Sequence, residues 1–245
     1  MRRSLTMGLL TCLVMASTTG CGIQGIRTLA KSVTARTLTI PLPLDGMSAD
    51  QIAMTSLNNL GNATSVRLKG TIDDSGRTLQ MNLTLVKGVG CTGSFAEKSQ
   101  GSFRLVVKGK VAWIKADATF WRLQGAGSGS TMNTLADNYI KMTKSADVNQ
   151  FAPLCGVAGK IASDRSKATG MTRTKAMMND QPVVVLKDKT SKGSVYVSNT
   201  ATPEILQISA PGKGGGSFTF SGFNQPAAIT EPPADQTLNA AQLGM

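Results

Sequence analysis

The chain has no histidine, and that absence removes much of enzymology. Without an imidazole there is no Ser-His-Asp triad, no Cys-His pair, no histidine-ligated metal and no imidazole acid or base. Carboxylates do not fill the gap. Glu97, Glu204 and Glu231 are the only glutamates, each placed as a loop or strand-end residue, and Asp73-Asp74 runs into Ser75-Gly76 as turn chemistry rather than a catalytic dyad. The run Gly212-Lys213-Gly214-Gly215-Gly216 lacks the Gly-Lys-Ser/Thr ending and the following helix of a phosphate loop, and reads as a flexible hairpin. No catalytic residue, metal or cofactor is therefore expected. Long apolar runs are also missing: the stretch from Met7 to Ala16 is about ten residues, half of the roughly 20 that cross a bilayer as a helix. Aromatic residues are scarce at 4%, whereas methionines number 12.

What is present at the N-terminus comes in a telling order: Arg2 and Arg3, the apolar run from Met7 to Ala16, small residues Ser17, Thr18, Thr19 and Gly20, then Cys21. These are the parts of an export signal, whose apolar core is removed rather than kept as a span. The ending Thr18-Thr19-Gly20-Cys21 resembles the lipobox of bacterial lipoproteins, with Thr18 where leucine is usual. That resemblance implies cleavage of a signal peptide at residues 1–20 and a diacylglyceryl group on the Cys21 thiol. The mature protein would then be held by Cys21 at the extracytoplasmic face of the cell membrane as a palmitate-bearing lipoprotein. An ordinary signal peptide ending near a cysteine is the alternative. The pair Arg2-Arg3 followed by Leu5 leaves twin-arginine export open beside the general route.

Removing the signal leaves roughly 220 residues, enough for one domain with a sizeable core. The formal charge of the whole chain is +12. On an exported protein this sign favours anionic lipid headgroups and wall polymers, and nucleic acid is not an expected partner. The cations are scattered, from Lys69, Arg77 and Lys87 to Lys187, Lys189 and Lys192, as on a solvated surface rather than in one patch. Cys12 leaves with the signal and Cys21 is taken by lipid, so Cys91 and Cys155 remain as an even pair in an oxidising compartment. A disulfide between them is expected, closing a loop of about 65 residues worth roughly 4 kcal/mol by chain entropy; free thiols are the alternative. Residues 21–45 read as the lipidated cysteine and a flexible tether, basic at Arg27, Lys31 and Arg36 and carrying Pro41 and Pro43. Residues 234–245, after Pro232-Pro233, read as a disordered tail.

Between them lies one domain, residues 46–233. Ser48 predicts the cap of a helix from Ala49 to Leu60, with Asp50 in its first turn, Gly61-Asn62 at its end and Ile52, Ala53, Leu57 and Leu60 at helical spacing. Ser65 to Ile72 and Thr78 to Val86 predict a hairpin, with Leu79, Met81, Leu83 and Leu85 alternating onto one face. Gly93 to Ala96, Ser102 to Val107 and Val111 to Lys115 continue the meander, and Asp117 to Arg122 reads as a short exposed aromatic turn, Phe120-Trp121. Helices are predicted over Thr131 to Thr143 and over Val148 to Ser163, the second carrying Cys155. Strands follow over Thr169 to Met178, Pro182 to Asp188, Gly193 to Asn199, Ile205 to Ala210 and Ser217 to Phe223. This pattern makes an α+β domain, a mainly antiparallel sheet with helices on one face.

The lone first helix, the hairpin, the stretch Gly101-Ser102-Phe103-Arg104-Leu105-Val106-Val107-Lys108-Gly109 leading to Val111-Ala112-Trp113-Ile114-Lys115, and then Phe120-Trp121, look like the LolA/LppX-type (LppX/LprG-like) lipoproteins of actinobacteria. Gly193-Ser194-Val195-Tyr196-Val197, Thr202-Pro203-Glu204-Ile205-Leu206-Gln207-Ile208 and Phe218-Thr219-Phe220-Ser221-Gly222-Phe223 are similar to the closing strands of that group, so the likeness runs from about Met47 to Pro233. It implies a half-barrel, an antiparallel sheet curled around helices, whose concave apolar face holds the acyl chains of lipid or lipoglycan and carries them at the envelope. The candidate lining is Ile52, Leu57 and Leu60 from the helix and Met81, Leu83, Leu85, Val106 and Trp113 from the sheet. Methionine suits such a face because it is flexible and polarizable, although it also fills ordinary cores. A second reading stands beside the carrier: a non-catalytic surface module that binds or senses a protein or wall polymer. A carrier needs an apolar cavity with a mouth; a module of the other kind is packed to ordinary density.

Overall fold

Ser48 caps α1 (Ala49–Asn62) as its sequence predicts: its hydroxyl accepts from the Gln51 amide, and the Gln51 side chain accepts from the Ser48 amide. Asp50 in the first turn also accepts from the amides of Gly170 and Met171, at 3.1 and 2.9 Å, fixing where this helix starts relative to the sheet. The computed structural model describes residues 42–74, 76–125, 129–188, 192–212 and 214–243. They belong to the compact unit that begins at Pro41. Cys21, the signal and residues 21–41 of the tether lie outside the described residues.

After α1 come β1 (Ser65–Asp74), β2 (Arg77–Val86), β3 (Gly90–Glu97), β4 (Gly101–Lys108) and β5 (Val111–Ala116), each antiparallel to the one before. Then follow α2 (Ala118–Leu123), α3 (Ser130–Asp137), β6 (Tyr139–Met142), α4 (Ser145–Cys155) and α5 (Val157–Ser163). A 3-10 turn at Arg165–Ala168 leads into β7 (Met171–Met178), β8 (Gln181–Asp188), β9 (Ser194–Ser198), β10 (Ile205–Ala210) and β11 (Gly216–Ser221), and the last strand is β12 (Thr237–Asn239).

All of these strands join one open 12-stranded sheet in the order β12-β6-β5-β4-β3-β2-β1-β11-β10-β9-β8-β7. Two meanders, β1 to β5 and β7 to β11, are zipped together where β1 pairs antiparallel with β11. Only the short β12–β6 pair is parallel among the described strands. A sheet this wide accumulates twist and curls, and its hollow is filled by α1, α4 and α5. The half-barrel around helices that the resemblance implied is the fold found, and its sheet is the mainly antiparallel one that the strand pattern implied. On the helix-facing side Val66, Leu68, Leu83, Leu85, Leu105 and Val107 pack against Leu60, Val148, Ala158 and Ala162. The helices α1 and α5 approach so closely that a Cβ on Gly61 would lie 3.1 Å from that of Ala162.

Five expectations are corrected. Phe120-Trp121 is not an exposed turn: Asp117 caps α2, which turns Trp121 inward to 3% exposure against Ile114, Leu135 and Ile140. The helix expected over Thr131 to Thr143 ends at Asp137, because Tyr139–Met142 completes the open edge of β5 instead and buries Ile140. The helix expected over Val148 to Ser163 starts earlier, at Ser145, and is two helices joined at Gly156. The tether ends sooner than expected, since Leu44 is only 2% exposed, its amide donates to the Asn199 side chain and its carbonyl accepts from Arg173. The tail expected to be disordered after Pro233 instead supplies β12, and Ala240 packs into the core beside Trp121.

Candidate apolar binding site

The apolar stripe of α1 faces the hollow of the sheet, but two of the residues it presents there, Ala53 and Ser56, are small. Small side chains leave the helix and the sheet apart, and a cavity of about 290 Å³ results. Ala53, Ser56 and Leu57 form one wall; Ile161, Asp164 and Ala168 form a second; Met171, Leu186, Val195, Ile205, Ile208 and Phe218, from five strands, form the floor. Among these only Ser56 and Asp164 are polar. The Ser56 hydroxyl already donates to the Ala53 carbonyl at 3.0 Å, while Asp164 is exposed and accepts from the Ser166 hydroxyl at 2.6 Å. Chemically the site offers a greasy slot with one exposed carboxylate in its wall.

Two further cavities lie under the same layer of helices. One, of about 450 Å³, sits between the end of α1, the β2–β3 turn and the α4–α5 junction, lined by Leu60, Val66, Leu85, Val107, Ala152 and Ala158 among others. The expected disulfide is formed beside it: Cys91 in β3 is bonded to Cys155 at the end of α4, with Cα atoms 5.2 Å apart, and Cys155 lines the cavity. The other, of about 430 Å³, is aromatic, with Phe103, Phe120, Trp121 and Phe151 joined by Ile114, Ile140 and Met142. Its rings touch one another, Phe103 lying 5.4 Å from Phe120 and 6.5 Å from Phe151 between centroids. The Trp121 indole N–H is buried there with no hydrogen-bond partner among the described residues.

The predicted lining is distributed rather than gathered. Leu57 lines the first cavity and Leu60 and Leu85 the second. Ile52 is fully buried in packing against the sheet, and Met81 and Leu83 belong to the helix-facing core. Val106 and Trp113 are a correction: both face the other side of the sheet, under Ile229. The cause is strand parity, because Leu105 and Val107 of β4 and Ala112 and Ile114 of β5 face the helices, so the residues between them cannot. Ile205 and Ile208 were missed for a related reason. They are three apart, which should oppose them, but a register shift between Ile205 and Gln207 turns both inward. Of the methionines, Met171 lines the first cavity and Met142 the aromatic one, whereas Met177 is 66% exposed.

No family model matches this chain, and no curated protein does. In fold it is similar to LprF from Mycobacterium bovis. The TM-score is 0.49 at 12% identity, over 75% of this chain and 96% of that one. The lipoprotein LppX of Mycobacterium tuberculosis gives a TM-score of 0.47 at 13% identity, over 73% of this chain and 97% of its own. A chain of the MucA/MucB complex of Pseudomonas aeruginosa gives 0.31 at 14% identity, over 75% of this chain and 59% of that one.

Proposed function

We propose that this chain is a cell-envelope lipoprotein that binds and carries the acyl chains of a lipid or lipoglycan, anchored through Cys21 at the extracytoplasmic face of the membrane. The observation that carries the reading is the slot of about 290 Å³ between α1 and the sheet, whose lining is apolar except for an internally bonded serine and an exposed aspartate. Such a lining gives up little on losing water and gains by covering hydrocarbon, at about 25 cal/mol per Å² buried. It has no polar group placed to orient a sugar or a peptide inside, so what it recognises is hydrocarbon. A volume near the lower limit of ligand pockets, roughly 300 Å³, suits one flexible chain better than a rigid polycyclic molecule.

The test is native mass spectrometry of the Cys21→Ala chain purified without detergent, together with uptake of a fluorescent fatty acid. Co-purified lipid and saturable uptake are expected. In Leu57→Trp, which fills the slot from a half-buried position on α1, uptake should fall about tenfold or more while the unfolding midpoint stays close to that of the parent. Absence of both bound lipid and uptake in the parent protein would sink the carrier and leave the surface module as the reading to pursue.

A further inference from the structure

Strand register brings two turns together at one end of the sheet. Val86 is opposite Gly90, Gly90 opposite Lys108, and Lys108 opposite Val111, so Lys87-Gly88-Val89 and Gly109-Lys110 lie side by side; the Gly109 amide donates to the Val89 carbonyl at 3.0 Å. Val89 is 43% exposed at the tip. Lys87, Lys108 and Lys110 are exposed at the same end, Lys87 on the helix side, where its Nζ donates to the Gly61 carbonyl at 2.9 Å, and Lys108 on the other face of the sheet. The nearest acidic partner is Glu231, 3.0 Å from Lys108, in a pair that is half open to water and weak. The cavity of about 450 Å³ is walled by Lys87, Gly88, Val89 and Gly109, and Lys87 is the only charged residue lining it.

Two independent features mark the same end. Met177, the most exposed large apolar residue among those described, precedes the β7–β8 turn at Asn179-Asp180, which the register places at this end as well. Leu44, where the tether joins the domain, is held by Asn199 immediately after β9, whose Ser198 pairs with Val183 near the start of β8. At the opposite end the β1–β2 and β3–β4 turns mix both signs, Asp73 and Glu97 beside Arg77 and Lys98, and α2, which starts there after β5, carries Leu123 at 54% exposure.

We propose that this end of the sheet is a docking surface for a bilayer containing anionic lipids, with Val89 entering the interface, Lys87 meeting phosphates beside the second cavity, and Lys108 and Lys110 meeting them along the neighbouring strand ends. A single apolar tip binds a membrane poorly, and so do three cations; together on one turn pair they combine hydrocarbon burial with attraction to the surface charge. Asp180 beside Met177 makes that second tip a peripheral contact. The inference rests on the membrane-side placement proposed above, and not on carriage of lipid.

The experiment is amide hydrogen exchange of the full Cys21→Ala chain with vesicles of phosphatidylglycerol or of phosphatidylcholine. With the anionic vesicles, amides of residues 87–90 and 108–111 should exchange about fivefold or more slowly, and those of 73–76 and 97–100 should be unchanged. A chain with Lys87→Gln, Lys108→Gln and Lys110→Gln should lose that protection, as should Val89→Ser in part, with fatty-acid uptake intact. Protection that is absent, equal on phosphatidylcholine, confined to the opposite turns, or retained by the triple variant overturns the proposal. Uptake without protection removes the docking surface alone, and protection without uptake removes carriage alone.

Discussion

Asp117 gathers three donors on one carboxylate: the Ser102 amide at 2.7 Å, the Ser102 hydroxyl at 2.8 Å and the Phe120 amide at 2.9 Å. Burial by itself would raise its pKa, but the bond from Phe120 and then those from Ser102 outweigh that and hold the carboxyl below its ordinary value. A group whose pKa is depressed on folding contributes stability above its unfolded value and loses it as pH falls through the folded one. The contribution is therefore complete above about pH 4 and declines as the pH falls below it toward the lowered folded value. Asp117→Asn keeps the shape and removes the charge. Urea unfolding should show the variant less stable by about 1–2 kcal/mol at pH 7, and the difference should narrow as the pH is lowered below about 4. The disulfide acts at the same scale. With a sequence separation of 64 between Cys91 and Cys155, replacing both by alanine should lower the unfolding free energy by about 2–4 kcal/mol. Reductant should destabilise the parent by a comparable amount and leave the double variant unchanged.

At the scale of elements, the C-terminal segment is the part that connects the two faces of the sheet. It leaves β11 through Asn224 and Gln225, which bond to Thr64 and Ser65, then sets Ile229 over Val106 and Trp113 and ends as β12 beside β6. Ile229 is 6% exposed, so Ile229→Ala should cost about 2–4 kcal/mol, and in a Trp121→Phe background the emission of Trp113 should move to the red as its cover loosens. An unchanged spectrum would mean that other residues bury Trp113. This segment also shows where reading the sequence stops. Strands and α1 were legible because period-2 and period-3.6 patterns are local, as in Leu79, Met81, Leu83 and Leu85. The pairing of Cys91 with Cys155 was legible from compartment and parity of count. The path of Pro226–Leu243 was not, because its apolar partners lie on β4 and β5 and its own composition is polar with prolines. Tyr139–Met142 was absorbed into a helix for the same reason: only the vacant edge of β5 decides that it is a strand. The candidate site was legible on α1, where Leu57 sits at helical spacing, and was lost on the sheet wherever parity or the shift in β10 chose the face.

For the molecule as a whole, the proposed reading raises the question of what would hold it at a membrane. No described helix is long and apolar enough to cross a membrane, so under the proposed reading attachment falls to Cys21 and to the surface of the domain. Under the same reading the lipid on Cys21 retains the domain at the membrane. Under the docking proposal the charged and apolar end of the sheet adds a second contribution, and the two respond differently to salt. Acyl anchoring does not depend on ionic strength, whereas attraction of lysines to headgroups is screened within about 3 Å at 1 M salt. The parent protein should incorporate a palmitate analogue and stay with the membrane fraction in 1 M salt. Cys21→Ala should incorporate none, and whatever fraction remains on membranes at low salt should wash off at high salt. Equal labelling of the two chains would place the lipid elsewhere or nowhere, and Cys21→Ala resisting the salt wash would mean that something other than charge and this cysteine holds the domain down.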